Sequence, residues 1–334
     1  MVTAALEALV ARAAGPPVDD DVLRDRYRGA LLGAAVGNAL GLPLEGDSRS
    51  SIKRRWPRGV TEIDPREREL PWDDDLAQTV MLGESLLATG ELDLDELGAR
   101  LLRWSRENGR GMGAMTAAVV SGLARGQRAI EASRDAWERS GWSTAGNAAV
   151  ARCAPVALCW RLDGGGLVRT ARASALVTHY DPRCEWSTVA FDVALCFALA
   201  GRALDLGELA GALQKVEEGE RADDALEQVV EAVRAVPGAR LEDLALDDPM
   251  DMGYTLKAMQ VGLWCLEQDR PIEVLLPAVI GAGGDTDTNG AVAGAALGSR
   301  AGAASIPARW IEGVAERNRI EDLAERLFEA SRPP

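Results

Sequence analysis

Apolar residues recur every three to four positions through almost the whole chain, and no stretch alternates apolar with polar residues over a strand's length. "DLAQTVMLGESLLATG", "LDELGARLLRWSREN", "STVAFDVALCFALAGRAL" and "YTLKAMQVGLWCLE" all show the pattern. A spacing near 3.6 puts those side chains on one face of a helix, whereas a strand requires a period of two. A chain built this way buries its apolar residues by stacking helix on helix, so the fold class is all-α. The run "RYRGALLGAAVGNALGLPLEG", residues 26–46, carries small and apolar residues around much of its circumference. It is therefore expected inside the bundle, where its glycines permit close backbone approach while lowering intrinsic helicity. No fixed-period repeat is present, which argues against a solenoid.

Hydrophobic residues make up 47% of the 334, ample for one large core. Residues 1–20 read as a dispensable N-terminal helical appendage, closed by "GPP", and residues 21–330 as a single domain. Against 37 Lys and Arg stand 52 Asp and Glu, a net charge of −15. That balance repels nucleic acid and anionic membrane surfaces. Five cysteines without a CxxC pair read as buried thiols in a reducing compartment. The N-terminus lacks a charged segment leading into an apolar run, and no uninterrupted apolar stretch matches a membrane span. The expected location is the cytoplasm.

Two acidic clusters interrupt this plain picture. "PWDDDLAQTV" sets Asp73, Asp74 and Asp75 ahead of an apolar helix, and "GAGGDTDTNG" sets Asp285, Asp287 and Thr288 between apolar segments. Taken singly, each also serves as a helix start, where side-chain oxygens cap and the macrodipole welcomes negative charge. Taken together they suit a cation. The Asp-x-Asp-Thr spacing lets alternate oxygens converge, and a second acidic helix start from far away completes two adjacent shells. With one histidine and no paired cysteines, magnesium or manganese is favoured over zinc.

With these residues in view, the chain resembles the ADP-ribosylglycohydrolase family, which includes dinitrogenase reductase-activating glycohydrolases and mammalian ADP-ribosylhydrolases. The resemblance runs in order from about Arg28 to Trp310, through "RGALLGAAVGNALGLPLEG", "PWDDDLAQTVMLGESLL", "GNAAVARCAPVAL", "THYDPRC", "GYTLKAMQVGLWCL", "GGDTDTNGAVAGAALG" and "IPARW". It implies a compact single-domain orthogonal helical bundle with two Mg²⁺ or Mn²⁺ ions in a central cleft. Asp74 and Asp75 match the aspartates of the family's first metal motif, and Asp285, Asp287 and Thr288 the ligands of its second. The first motif's leading threonine is Asp73 here, which still offers oxygen, and its trailing threonine is Leu76. Asn38 stands where the family carries an aspartate, and Glu45 matches an acidic position near the substrate cleft. Gly146 and Asn147, ahead of a helix start, are the phosphate candidates. His179 and Gly284 are further substrate-binding candidates, and Arg152 is expected to pair with structure.

The activity so implied is hydrolysis at the anomeric carbon of a ribose, releasing ADP-ribose from a protein side chain or a small-molecule adduct. Glycosidic cleavage needs acid and base help, which the sequence leaves unassigned among Glu45, Asp73 and Asp75. Two other readings stand beside it: hydrolysis of another small riboside or nucleotide adduct, and metal or ADP-ribose binding without turnover. The basic rim "GDSRSSIKRRWP" is the feature expected to separate protein from small-molecule substrates.

Overall fold

Much of the acidic surplus goes into starting helices. Asp19, Asp73, Asp93, Asp163, Asp181 and Asp205 each stand just ahead of a helix and accept a backbone N–H of its first turn. The protein is described by a computed structural model covering residues 3–15, 18–216 and 220–332. Its regular structure is α-helix with short 3₁₀ turns, and the extended pairing among the described residues is two isolated bridges, Ser48–Gly283 and Gly146–Tyr254. The all-α expectation holds. No helix among the described residues is long and apolar enough to cross a membrane.

The helix Pro182–Leu199 buries every residue from Cys184 to Leu199, so other elements cover it on all sides. One apolar core extends from Leu6 through this helix to Phe328. The helix Ala4–Ala14, within the segment read as an appendage, sets Leu6, Leu9, Val10 and Ala13 into that same core.

The pair that positions the site is Asp20–Gly41, here the opening helix, against Thr286–Ala301, the glycine helix. They run antiparallel, with Gly29 facing Gly298, Gly33 facing Gly294 and Gly37 facing Gly290. A Cβ on any of the six would lie 1.9–2.3 Å from a carbonyl oxygen of the opposite helix. Glycine alone allows backbones that close. The antiparallel arrangement sets the end of the opening helix beside the start of the glycine helix, where the Thr286 hydroxyl donates to the Gly41 carbonyl at 2.8 Å. The loops continue the pairing: Gly46 N–H donates to Gly284 O and Gly284 N–H to Asp47 O, both at 2.9 Å. Glu45 is thereby brought to the loop that carries Asp285.

Candidate metal and ligand cleft

A cleft of about 250 Å³ opens where these ends meet the start of the helix Asp74–Thr89. Glu45, Asp74, Asp75, Gly146, Asn147, His179, Asp285, Asp287 and Thr288 all line it. Three larger cavities, about 690, 430 and 400 Å³, lie elsewhere and contain none of these groups. The titratable side chains converge in the smaller one, which is where chemistry is possible.

Hydrogen bonds between distant parts of the chain hold the carboxylates. The Thr288 hydroxyl donates to Asp75 Oδ2 at 2.7 Å, and the Asn147 amide donates to Asp285 Oδ2 at 2.9 Å. Asp73 is sealed behind the cleft. It accepts from the Asn38 amide at 2.8 Å and caps its helix through Leu76 N–H at 3.4 Å. Oxygens of Asp73, Asp75 and Asp287 nonetheless lie within 4.8 Å of one another, all three residues being buried. Burial, then the neighbouring aspartates, push the Asp74 carboxyl up to about 8. The same two causes hold Asp75 and Asp287 well above the usual carboxylate range.

These residues fit divalent cations. Carboxyls crowded at this depth cannot all ionise unless a positive charge joins them. Asp287 Oδ1 is buried with no hydrogen-bond partner, an acceptor left open. The donor set is carboxylate and hydroxyl oxygen, the preference of a hard ion.

At the mouth, Glu45 is exposed, and its carboxyl is raised by partial desolvation first, then by Asp285 and Asp73. His179 lies on the far wall, pushed down to about 3 by burial and the nearby Arg152 charge, and is therefore neutral. The Gly146–Asn147 turn leads into only four helical residues, Ala148–Ala151, so little helix dipole stands behind it. The Asn147 side chain is engaged with Asp285. Gly284 does not line the cleft. At φ +80° it supplies backbone clearance, since a Cβ there would lie 1.9 Å from the Leu246 carbonyl oxygen. The basic rim is partly neutralised, Arg49 pairing with Glu242 and Arg55 with Asp47.

Four further residues contribute to the cleft. Gly111, at φ +78°, lets the loop after Asn108 lie across the site; a Cβ would come within 2.8 Å of Asp74 Oδ1. "GRGMG" was the available signal. Gln78 donates to Asp74 Oδ2 at 3.2 Å, an i, i+4 pair visible in the helix spacing. Met115 and Thr116 line the cleft with no signal in the pattern.

Residues 19–334 match the family described as ADP-ribosylglycohydrolase. The ADP-ribosyl-[dinitrogen reductase] glycohydrolase of Rhodospirillum rubrum is 27% identical, over 86% of this chain and 90% of its own length. The ADP-ribosylarginine hydrolase Tri1 of Pseudomonas putida is 25% identical, over 91% of this chain and 78% of its own. A solved structure titled "ADP-ribosylglycohydrolase-related protein complex" superposes with a TM-score of 0.72 at 28% identity, covering 93% of this chain and 100% of that one. The chain, with its helical fold and its buried acidic cleft, belongs to the ADP-ribosylglycohydrolase family of hydrolases.

Proposed function

We propose that this protein is a metal-dependent glycosidase that cleaves the bond between the anomeric carbon of an ADP-ribosyl group and its acceptor, releasing ADP-ribose. The observation that carries this reading is the buried cluster of Asp75 and Asp287 in the cleft with Asp73 behind them, and an unpartnered oxygen on Asp287. Asp74, Asp75, Asp285, Asp287 and Thr288 would hold two Mg²⁺ or Mn²⁺ ions, with Asp73 behind them. When bound, such ions supply Lewis acidity and a grip on vicinal hydroxyls.

The chain's own groups do the rest. Asn147 fixes the orientation of Asp285. The Gly146–Asn147 backbone and His179 form the wall toward which the diphosphate extends. Glu45 sits exposed at the mouth, where a carboxyl can hand a proton to a leaving atom, and partial desolvation raises it from its ordinary value. The acceptor to test first is a protein arginine, because the Pseudomonas putida relative is named for ADP-ribosylarginine. The decisive assay incubates the protein and Mn²⁺ with ADP-ribosylated arginine, serine and small-molecule adducts and measures free ADP-ribose. Release with wild type, and its loss in Asp285→Asn with helical circular dichroism intact, is the expected result. No release from any adduct at saturating Mn²⁺ would overturn the reading.

A further inference from the structure

Arg152 is almost wholly buried, and among the described residues it makes no ion pair. A cation in that position needs a reason, because burying an unpaired charge is costly. Its contacts supply one. Nη1 donates to Gln78 Oε1 at 2.8 Å, and Nη2 donates to Thr178 Oγ1 at 2.8 Å and to the Ser174 carbonyl at 2.6 Å.

A guanidinium donates and never accepts. On the first branch it therefore fixes which end of the Gln78 amide faces it: the oxygen turns to Arg152 and the nitrogen to Asp74 Oδ2. On the second branch the Thr178 oxygen accepts from Arg152, leaving the hydroxyl one proton to give. The acceptor within reach is His179 Nδ1, at 2.8 Å. The opposite polarity, Nδ1–H donating to Thr178, would leave a fully buried hydroxyl proton without a partner. The imidazole proton therefore belongs on Nε2. That atom faces Gly146, whose Cβ position lies 2.7 Å from it, on the cleft wall.

We propose that Arg152 is a positioning residue that sets the polarity of two hydrogen-bond chains ending in the cleft, presenting an acceptor at Asp74 and an N–H donor at His179 Nε2. The ligand each end meets rests on the function proposed above: a cation at Asp74, and an oxygen of the ADP-ribosyl group at His179. Burial and the Arg152 charge keep the ring neutral, so it donates one hydrogen bond at fixed geometry and adds no charge.

The chain has one histidine, so ¹⁵N imidazole spectra of untagged protein need no assignment. The expected spectrum is a neutral, Nε2-protonated ring at neutral pH and still at about pH 5, where an ordinary histidine is charged. Thr178→Val should lose that tautomer preference and weaken ADP-ribose about tenfold while leaving Mn²⁺ affinity unchanged; Thr178→Ser should retain both properties. Gln78→Met should do the reverse, weakening Mn²⁺ about tenfold with the histidine spectrum unmoved. An Nδ1-protonated ring in wild type would overturn the proposal. So would a Thr178→Val protein that melts lower yet keeps tautomer and affinities, since that is what a merely structural residue does. An Nε2-protonated ring in a protein that binds no ADP-ribose would support the polarity and count against the functional reading instead.

Discussion

Asp73 shows how much one side chain here is asked to do. It caps a helix, accepts from Asn38 and adds a carboxylate to a buried cluster already short of positive charge. Asp73→Asn keeps a capping oxygen and removes the charge. In chelator-treated protein it should raise the melting temperature, a gain on the order of 1 kcal/mol or more, and shrink the further rise given by Mn²⁺. An unchanged Mn²⁺ increment in thermal denaturation would show that Asp73 acts only as a cap. Asp192 is another buried acid, and it does not line the cleft. Neither oxygen makes a well-formed hydrogen bond, the Cys153 thiol and Ala157 amide being its polar neighbours, and burial raises its carboxyl well above the usual range. The folded state thus holds a proton that the unfolded chain releases near pH 4. The stability associated with it is full below that pH and falls as pH rises toward the folded value, by about 1.4 kcal/mol per pH unit. Asp192→Asn should flatten that part of the stability–pH curve in urea titrations; a curve parallel to wild type would mean the acid is paired after all.

At the scale of elements, the glycine seam between the opening helix and the glycine helix is the fold's tightest demand. Gly294→Ala would drive a methyl group to 1.9 Å from the Gly33 carbonyl oxygen, so the helices must separate. The expected loss is about 3 kcal/mol or more, with Mn²⁺ binding weakened because the same helix carries Asp287 and Thr288. Gly211→Ala is the control. Its Cβ meets nothing within 4 Å in the helix Leu206–Leu213, and the change should stabilise by up to about 1 kcal/mol. Denaturant midpoints moving equally for the two variants would contradict the seam. Close approach was legible in the glycine spacing of the opening run, but not its partner, because four-residue glycine spacing is satisfied by any second small-residue helix.

For the whole molecule, cation binding and folding should be linked. Carboxyls contributed by two helix starts far apart in sequence repel when bare, so Mg²⁺ or Mn²⁺ should raise the melting temperature of chelator-treated protein. A flat response would dispose of the two-metal reading. Ligand length is the matching test. ADP-ribose, with its distal ribose, should bind the Mn²⁺-loaded protein at least about tenfold tighter than AMP by calorimetry. Equal affinities would show that the carboxylate end of the cleft does not hold that ribose.

The apolar spacing alone dictated an all-helical chain, since helix periodicity is a local property that tertiary contacts rarely reverse over segments this long. The hard-donor character of Asp73–Asp75 and Asp285–Thr288 was likewise readable, because coordination preference belongs to residue type. Spatial neighbours decided the rest. Thr288 meets Asp75 across 213 positions and Asn147 meets Asp285 across 138. Gly284 turned out to clear a carbonyl, and Asp73 to bond Asn38 behind the cleft. The direction of a hydrogen bond and the cost of desolvating a charge depend on what surrounds a group in three dimensions. Only the folded chain could therefore show what surrounds the buried Arg152 and which nitrogen of His179 lies beside Gly146 on the cleft wall.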